Sequence, residues 1–386
     1  IKSGTYHEHT ININKTITLI GENMKTTTIN LHPPSQPLYH SSILVYDNPI
    51  QITADQVTIS NFTITSDSGI ITIHGIGNKV IDNYLKTSIA TYGNETQVAN
   101  NEFDNGSLNV NGYNNTIANN TLIESVITFT GSWNKVLNNS LIKNPIDNPK
   151  YYEEGILLTG SENLIMDNKL VNCSIFLEAN SNDNTIAKNN CLDLRISRSS
   201  DNTVTANYID RILGFVGNYN TFRGNYMEGL RLGYYKMDTP NNIFYENIFN
   251  FTLDKLHINN SMKVSLIMDN GSIGNYWHTC QNTTTDAPYV IYLTSEYSIL
   301  TIFYGVGNID NYELTLTDRY PLTTVPNISE IQVQLPQWVF SSSNSETENS
   351  ADMLSIIGVT VIITLIGTFL IIFARIKCLK NKCCVE

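Results

Sequence analysis

Apolar residues recur along this chain as short alternating sets separated by asparagine. Between Asn78 and Asn247 the pattern of one Asn, four residues and a second Asn occurs eight times, and an apolar residue stands two places after each Asn. The pairs are Asn78/Asn83, Asn115/Asn120, Asn134/Asn139, Asn163/Asn168, Asn184/Asn189, Asn202/Asn207, Asn220/Asn225 and Asn242/Asn247, with Asn94 and Asn100 as a looser ninth. Val80, Ile117, Val136, Ile165, Ile186, Val204, Phe222 and Phe244 follow the first Asn, and Leu85, Leu122, Leu141, Leu170, Cys191, Ile209, Met227 and Phe249 follow the second. A third apolar pair completes most units, as in Ile127/Phe129, Ile156/Leu158, Ile175/Leu177, Leu194/Ile196 and Leu230/Leu232. Alternation over so few residues predicts three short strands and three turns per unit.

Most units begin 18 to 22 residues apart. A self-similar period of this size marks a solenoid, because one unit cannot bury its apolar face until neighbours stack on it. Helical repeats are longer, and Asn, Thr and β-branched residues at these positions favour turns and strands. The fixed leucines of leucine-rich repeats are absent. The expectation is an all-β, single-stranded parallel β-helix of about 12 coils before Trp277, stacked at about 4.8 Å per coil. Asn83, Asn120, Asn139, Asn168, Asn189, Asn207, Asn225 and Asn247 are then a structural ladder at the bends. Asn tolerates the left-handed backbone region there, and its amide both donates and accepts.

Composition narrows the function classes. With a formal net charge of −12 the chain lacks the basic surface that nucleic acid requires. Met353 to Ala374 is a run of 22 residues without a charge, followed by Arg375, Lys377, Lys380 and Lys382. At 1.5 Å per residue such a helix spans about 33 Å, enough for a bilayer core. The basic flank predicts a cytoplasmic C-terminus and an extracellular ectodomain. The organisation expected is a β-helix over 1–276, a β-rich cap over 277–340, a polar tether over 341–352, a transmembrane helix over 353–374 and a basic tail over 375–386. Thirteen Asn-x-Ser/Thr sequons accord with an outside location. The glycosylation candidates are Asn14, Asn61, Asn94, Asn105, Asn250, Asn259, Asn270, Asn282 and Asn327. Cys173 and Cys191 fall on strand positions and read as small core residues. The chain starts at Ile1 without a signal peptide, so export implies that its beginning was removed.

The opening Ser3-Gly4-Thr5-Tyr6-His7-Glu8, followed by Asn14 to Asn23 and Thr28-Ile29, resembles the first coils of the NosD-like right-handed β-helix family, whose repeats are pectin-lyase-like. Gly274-Asn275-Tyr276-Trp277, Asp286 to Ile291 and Tyr320-Pro321-Leu322 are similar to that family's closing segment, so the resemblance covers nearly all of residues 1–325. With Pro336-Gln337-Trp338 before a single span, the chain looks like a membrane-anchored archaeal surface protein. The stretch Gln281 to Thr285 departs from the family in having almost no carboxylates, which removes a calcium site. The copper association of the family name finds only scattered histidines, with His7 and His9 alone at strand spacing. No metal and no cofactor are expected.

In β-helical polysaccharide enzymes the chemistry lies on the outer face of one strand stack. Here that face carries Glu154 and Asp193, two coils apart, as candidate catalytic carboxylates. Arg195 and Arg231 are positioned to hold acidic sugar, and Tyr151, Tyr152, Glu153, Tyr234 and Tyr235 are further glycan-binding candidates. The insertion Asn144 to Glu154 is the most promising single loop, since insertions in solenoids protrude on one face. The reading taken from sequence is a non-catalytic cell-surface protein acting as spacer, adhesin or glycan-binding ectodomain. An enzyme that hydrolyses or eliminates polysaccharide is the alternative, and a subunit of a surface filament or layer is the second. An enzyme predicts a groove with two carboxylates at catalytic distance and perturbed protonation, whereas a binder or lattice protein predicts a flat, aromatic or charge-laddered face.

Overall fold

A computed structural model describes residues 1–32, 49–145, 154–232, 241–251, 256–258, 263–278, 289–294 and 313–341. The chain divides into two compact units, Ile1–Gln334 and Leu335–Glu386. The first unit is a right-handed parallel β-solenoid. Strands after the first Asn of each unit, such as Lys135–Leu137 and Leu164–Met166, form an 11-stranded sheet; the other two strands of each coil join in a 21-stranded sheet. They join because several strands run unbroken round the corner, among them Asn190–Ser197 and Tyr208–Val216. Among the described residues the sheet of eleven strands marks eleven turns, beside the about 12 coils expected from sequence.

Pairing is parallel and in register, so equivalent residues form columns. Val80, Val98, Ile117, Val136, Ile165, Ile186, Val204, Phe222 and Phe244 make one, paired coil to coil. All are buried, as are Ile156, Leu158, Ile175, Leu177, Leu194, Leu213 and Phe215 on the third strands. Alternation puts their neighbours outside, which is what creates the outer face considered below. Phe222 and Phe244 stack with centroids 4.5 Å apart, and Phe249 and Trp277 with centroids 4.1 Å apart, so aromatic stacking fills the later coils.

The asparagine ladder satisfies the wall between coils. Along the ladder of second Asn residues, the backbone N–H and Nδ2 donate to Oδ1 of the Asn one coil on, as Asn139 does to Asn168 at 2.9 and 3.0 Å. Nδ2 also donates to a carbonyl of the preceding coil, such as Asn168 to Val136 at 2.9 Å. The left-handed residue is not the ladder Asn but the one before it: Asn119, Asn138, Asp167, Lys188 and Ala206 have φ between 52° and 57°. Asn occupies the ladder for its amide, and many residue types serve in the turn. The irregular coil uses Thr96 and Asn101 rather than Asn94 and Asn100: Thr96 N–H donates to Asn115, and Asn101 bonds both Asn83 and Asn120.

At its end the ladder meets a carboxylate. Asn275 N–H, at 2.8 Å, and Trp277 Nε1, at 2.8 Å, donate to Asp318 Oδ2, and Tyr320 N–H donates to Oδ1. Asp318 lies at the end of strand Glu313–Asp318, in a three-stranded sheet with Lys263–Ile267 and Tyr289–Thr294. Burial pushes its carboxyl above the usual range, against the opposing pull of these hydrogen bonds. Asp269, 4% exposed, accepts from Arg319 Nε, Nη2 and N–H. Burial alone would raise Asp269, but the Arg319 bonds and the Gly271 N–H outweigh it and hold the carboxyl low. A depressed folded value adds stability above the unfolded aspartate range, near pH 3.9, and loses it as pH falls through the folded value. Acid unfolding should therefore move to lower pH in the wild type than in Asp269→Asn, with the two curves converging below that window. Identical acid midpoints would refute this role.

Several expectations are corrected. The described helices are a 3-10 turn, Ile328–Glu330, and a four-residue α-helix, Trp338–Ser341. No helix among the described residues is long and apolar enough to cross a membrane. The expected span at 353–374 and the tail at 375–386 lie outside the described residues. The expectations of a transmembrane helix in the fold, a membrane partner, and an extracellular ectodomain with a cytoplasmic C-terminus are accordingly not carried forward. Among the sequon residues, Asn270 and Asn327 accept local backbone N–H bonds, Asn94 accepts from Tyr113 N–H of the next coil, Asn250 Nδ2 donates to the Tyr226 hydroxyl, and Asn14 and Asn105 are exposed. Asn61 is half-buried, while Asn259 and Asn282 lie outside the described residues.

Candidate functional site: a groove on the outer face of the third strands

The third strands Leu108–Asn111, Ile127–Thr130, Glu154–Thr159, Ser174–Leu177, Asn190–Ser197, Tyr208–Val216 and Leu230–Leu232 stack coil on coil. Their outward column reads Asn109, Thr128, Leu157, Phe176, Arg195 and Gly214. It begins polar and turns apolar at Leu157 and Phe176. An apolar residue at a solvent-facing position of an alternating strand is unusual, and here a cavity of about 520 Å³ opens over it. Glu154, Leu157, Phe176, Glu178, Arg195 and Arg198 line it, with Phe215 and Val216 at one side.

Two irregularities shape the groove. Glu154 pairs with Ser174 but Ile156 with Ile175, so Gly155 is an extra residue in its strand. A side chain there would meet Cys173 Sγ and Leu170 Cδ2 at 2.8 Å, which restricts the position to glycine. Two coils further on, Cys191 pairs with Ile209 but Asp193 with Ile212, and the surplus residue turns Arg211 toward Asp193. Arg211 Nε and Nη2 donate to the two Asp193 oxygens at 3.0 and 2.7 Å, and Arg195 Nη2 donates at 3.2 Å. Asp193 is fully buried while Arg195 and Arg211 keep 16% and 30% of their side chains exposed. Asp193 thus lies between two guanidiniums, and Arg198 brings a further cation to a lining that also carries Glu154 and Glu178. The Arg195 guanidinium is held over the Phe176 ring, 5.2 Å from its centroid.

The two carboxylates proposed from sequence are not brought together as an acid–base pair. Glu154 is exposed at the groove, and Asp193 is enclosed by its arginines. They sit two coils apart, about 10 Å at the sheet spacing, beyond the separation of an inverting pair. Glu178, which sequence reasoning missed, accepts from Thr159 Oγ1 at 2.8 Å. It lies four residues along from the Ser174 position that faces Glu154, about 13 Å at strand rise, so that pair is too wide as well. Glu178 and Leu157 were legible in principle, because each follows the same outward alternation that picks out Phe176 and Arg195, whereas Arg198 stands at φ 48° in the turn after its strand.

Tyr151, Tyr152, Glu153, Tyr234 and Tyr235 lie outside the described residues. Arg231 takes its place in the column through backbone pairing with Gly214. His7 stacks on His32, with Nδ1 and Nε2 3.2 Å apart, while His9 bonds the His32 carbonyl. Among the described residues no group of three or more His, Cys, Asp or Glu could hold a metal ion. Cys173 and Cys191 are buried thiols, and burial pushes Cys191 well above its ordinary range.

No family model matches this chain, and no curated protein matches it in sequence. Among solved structures it is similar to a PL6 alginate lyase in complex with a trisaccharide, at 13% identity and a TM-score of 0.49, over 72% of this chain and 77% of that one. It is also similar to the alginate lyase AlyF-OU02, at 12% identity and a TM-score of 0.49, over 75% of this chain and 83% of that one. These findings correct two expectations. The likeness found is to alginate lyases and not to a NosD-like, archaeal membrane-anchored family. The concave site also departs from the flat face that a non-catalytic spacer, adhesin or layer subunit could present, and that reading is not carried forward.

Proposed function

We propose that this chain binds an acidic polysaccharide along the outer face of its third strands and cleaves it in the groove around Arg195. The observation that carries the reading is the groove itself: an apolar floor at Leu157 and Phe176 suits the face of a sugar ring, and Arg195 and Arg198 suit its carboxylate. With neither Glu154 and Asp193 nor Glu154 and Glu178 at hydrolytic separation, elimination fits better than hydrolysis. In that reaction Arg195 and Arg198 take the charge that develops on the uronate carboxylate, and Glu154 removes the proton from the adjacent carbon. The electron pair forms the ring double bond as the C–O bond to the leaving sugar breaks, and the leaving oxygen takes a proton from solvent. Asp193 is a positioning residue that sets the Arg195 guanidinium.

The test incubates the protein with uronate-containing and neutral polysaccharides and reads unsaturated ends by ultraviolet absorbance beside reducing ends. Unsaturated ends are expected with uronate polymers alone. Glu154→Gln should lower kcat by about 100-fold or more, as loss of a general base does. Arg195→Ala should also raise KM. Retention of uronate polymers without new ends, or new ends that are all saturated, would overturn the elimination reading.

A further inference from the structure

A second feature of the same outer face is left unused by the groove. One column toward the strand ends, the outward positions are His74, Tyr92, Asn111, Thr130, Thr159 and Glu178, each stacked on the last. The last of these lines the groove. At the other end His74 and Tyr92 are both exposed, with ring centroids 5.1 Å apart and 12° between their planes. Thr130 Oγ1 donates to Asn111 and Thr159 Oγ1 to Glu178, so the intervening column is a row of hydroxyl, amide and carboxylate groups. Just past the corner glycines Gly112 and Gly131 stand Tyr113 and Trp133, 52% and 42% exposed, their rings 6.1 Å apart.

Trp133 is not placed loosely. It has φ 59°, a region that bulky residues avoid, and its indole Nε1 donates to Glu162 at 2.8 Å. The ring is thereby held out from the coil while its polar edge is already satisfied. Four exposed aromatic rings on four neighbouring coils, flanked by a row of hydrogen-bonding groups, offer little to a protein partner, whose interface would need a desolvated apolar centre. They suit sugar rings, which present an apolar face with hydroxyls at the edge.

We infer that His74, Tyr92, Tyr113 and Trp133 form a distal subsite for the same polysaccharide, which lies along the stacking direction from the groove to this platform. The inference rests on the reading of the outer face as a polysaccharide site and adds to it a chain orientation and a length requirement. Coils rise by about 4.8 Å, close to the advance of one pyranose in an extended chain, so four coil steps from Glu178 to Tyr92 ask for an oligosaccharide of about six residues. Aromatic rings bind the ring faces without reading the charge, so this end tolerates neutral sugars that the arginine end does not.

The experiment measures binding and cleavage separately in the full chain, with Tyr92→Ala, Trp133→Ala and the double variant, using uronate oligosaccharides of graded length and the parent polymer. Retention in polymer-containing native gels and quenching of tryptophan fluorescence, with Trp133→Phe to assign the signal, read binding whether or not cleavage occurs. Wild-type affinity should rise with length until the platform is reached. Each variant should weaken binding of long oligomers about tenfold while leaving short ones unchanged. Equal affinity of wild type and variants for long oligomers would overturn the subsite, as would an equal loss for short and long ones. Length-dependent binding that the variants abolish, with no new chain ends, would keep the subsite and sink the elimination reading. No binding of any polymer by the wild type would sink the subsite, leaving chain cleavage to be judged on its own readout.

Discussion

Asn168→Leu is expected to cost about 4 kcal/mol or more, at the upper end of what single substitutions do. The side chain makes five hydrogen bonds from a position that is 1% exposed. Oδ1 accepts from Asn139 N–H and Nδ2, and Nδ2 donates to Val136 O, Met166 O and Asn189 Oδ1. Leucine fills the volume and satisfies none of them, leaving buried donors and acceptors on two neighbouring coils unpaired. Because each repeat is stabilised by its neighbours, the loss spreads up and down the stack and unfolding should become broader as well as earlier. Asn138→Gly, one residue away in the left-handed turn, is the control, since glycine suits φ 52° and this side chain faces solvent. Chemical denaturation of the three proteins checks the contrast. A change below about 1 kcal/mol for Asn168→Leu would show that the ladder is not what holds the wall.

Gly131→Ala carries the second largest expected effect, about 3 kcal/mol or more, with loss of soluble protein where the chain cannot relax. Gly131 has φ 144°, and an added Cβ would sit 2.1 Å from Gly112 O in the coil below. The same clash recurs along the column: at Gly93 the added atom would lie 2.0 Å from Gly75 O, and at Gly160 2.1 Å from Gly131 O. Gly131 and Gly160 stand three residues before the first Asn of their units and Gly93 three before Thr96, so the carbonyl of one coil packs into the space a side chain would fill in the next. Two coils carry Ser181 and Ser199 instead. There the preceding turn differs, with Asn180 and Arg198 at φ 68° and 48°, and the hydroxyls bond Leu158 O and Glu178 O at 3.0 and 2.7 Å. Thr130 makes no such turn, so Gly131→Ser should fail like alanine. Gly271→Ala, where nothing lies within 4 Å of the added atom, should cost far less despite φ 91°. Thermal midpoints of these variants test the order, and equal losses at Gly131 and Gly271 would reject the packing argument.

Much of the outer face follows from alternation alone. Once Ile175 and Leu177 are inward, Phe176 must be outward, and the repeat length places Arg195 above it. The glycine column was equally open to inspection, three residues before the first asparagine of most units, and was missed because glycine in a turn attracts no attention until the carbonyl beneath it is seen. Asp193 shows the opposite case. Its residue type and strand position marked it as a catalytic candidate, yet it is enclosed, because a single surplus residue in the next coil swings Arg211 onto it. No local pattern reports a bulge in a neighbouring coil.

The sequence by itself determined the period, the in-register parallel stack, the identity of the inward columns and the asparagine positions. These depend on short-range alternation and on one turn chemistry repeated coil after coil. Tertiary structure alone decided which outward groups meet: Asp193 with Arg211, Glu178 in the groove wall, Asp318 at the end of the asparagine ladder, His74 against Tyr92. Those meetings join residues 18 to 43 apart, and their geometry turns on bulges and corner angles that shift side chains by a few ångströms. A shift of that size leaves the periodic pattern unchanged while deciding whether a carboxylate faces a ligand or an arginine.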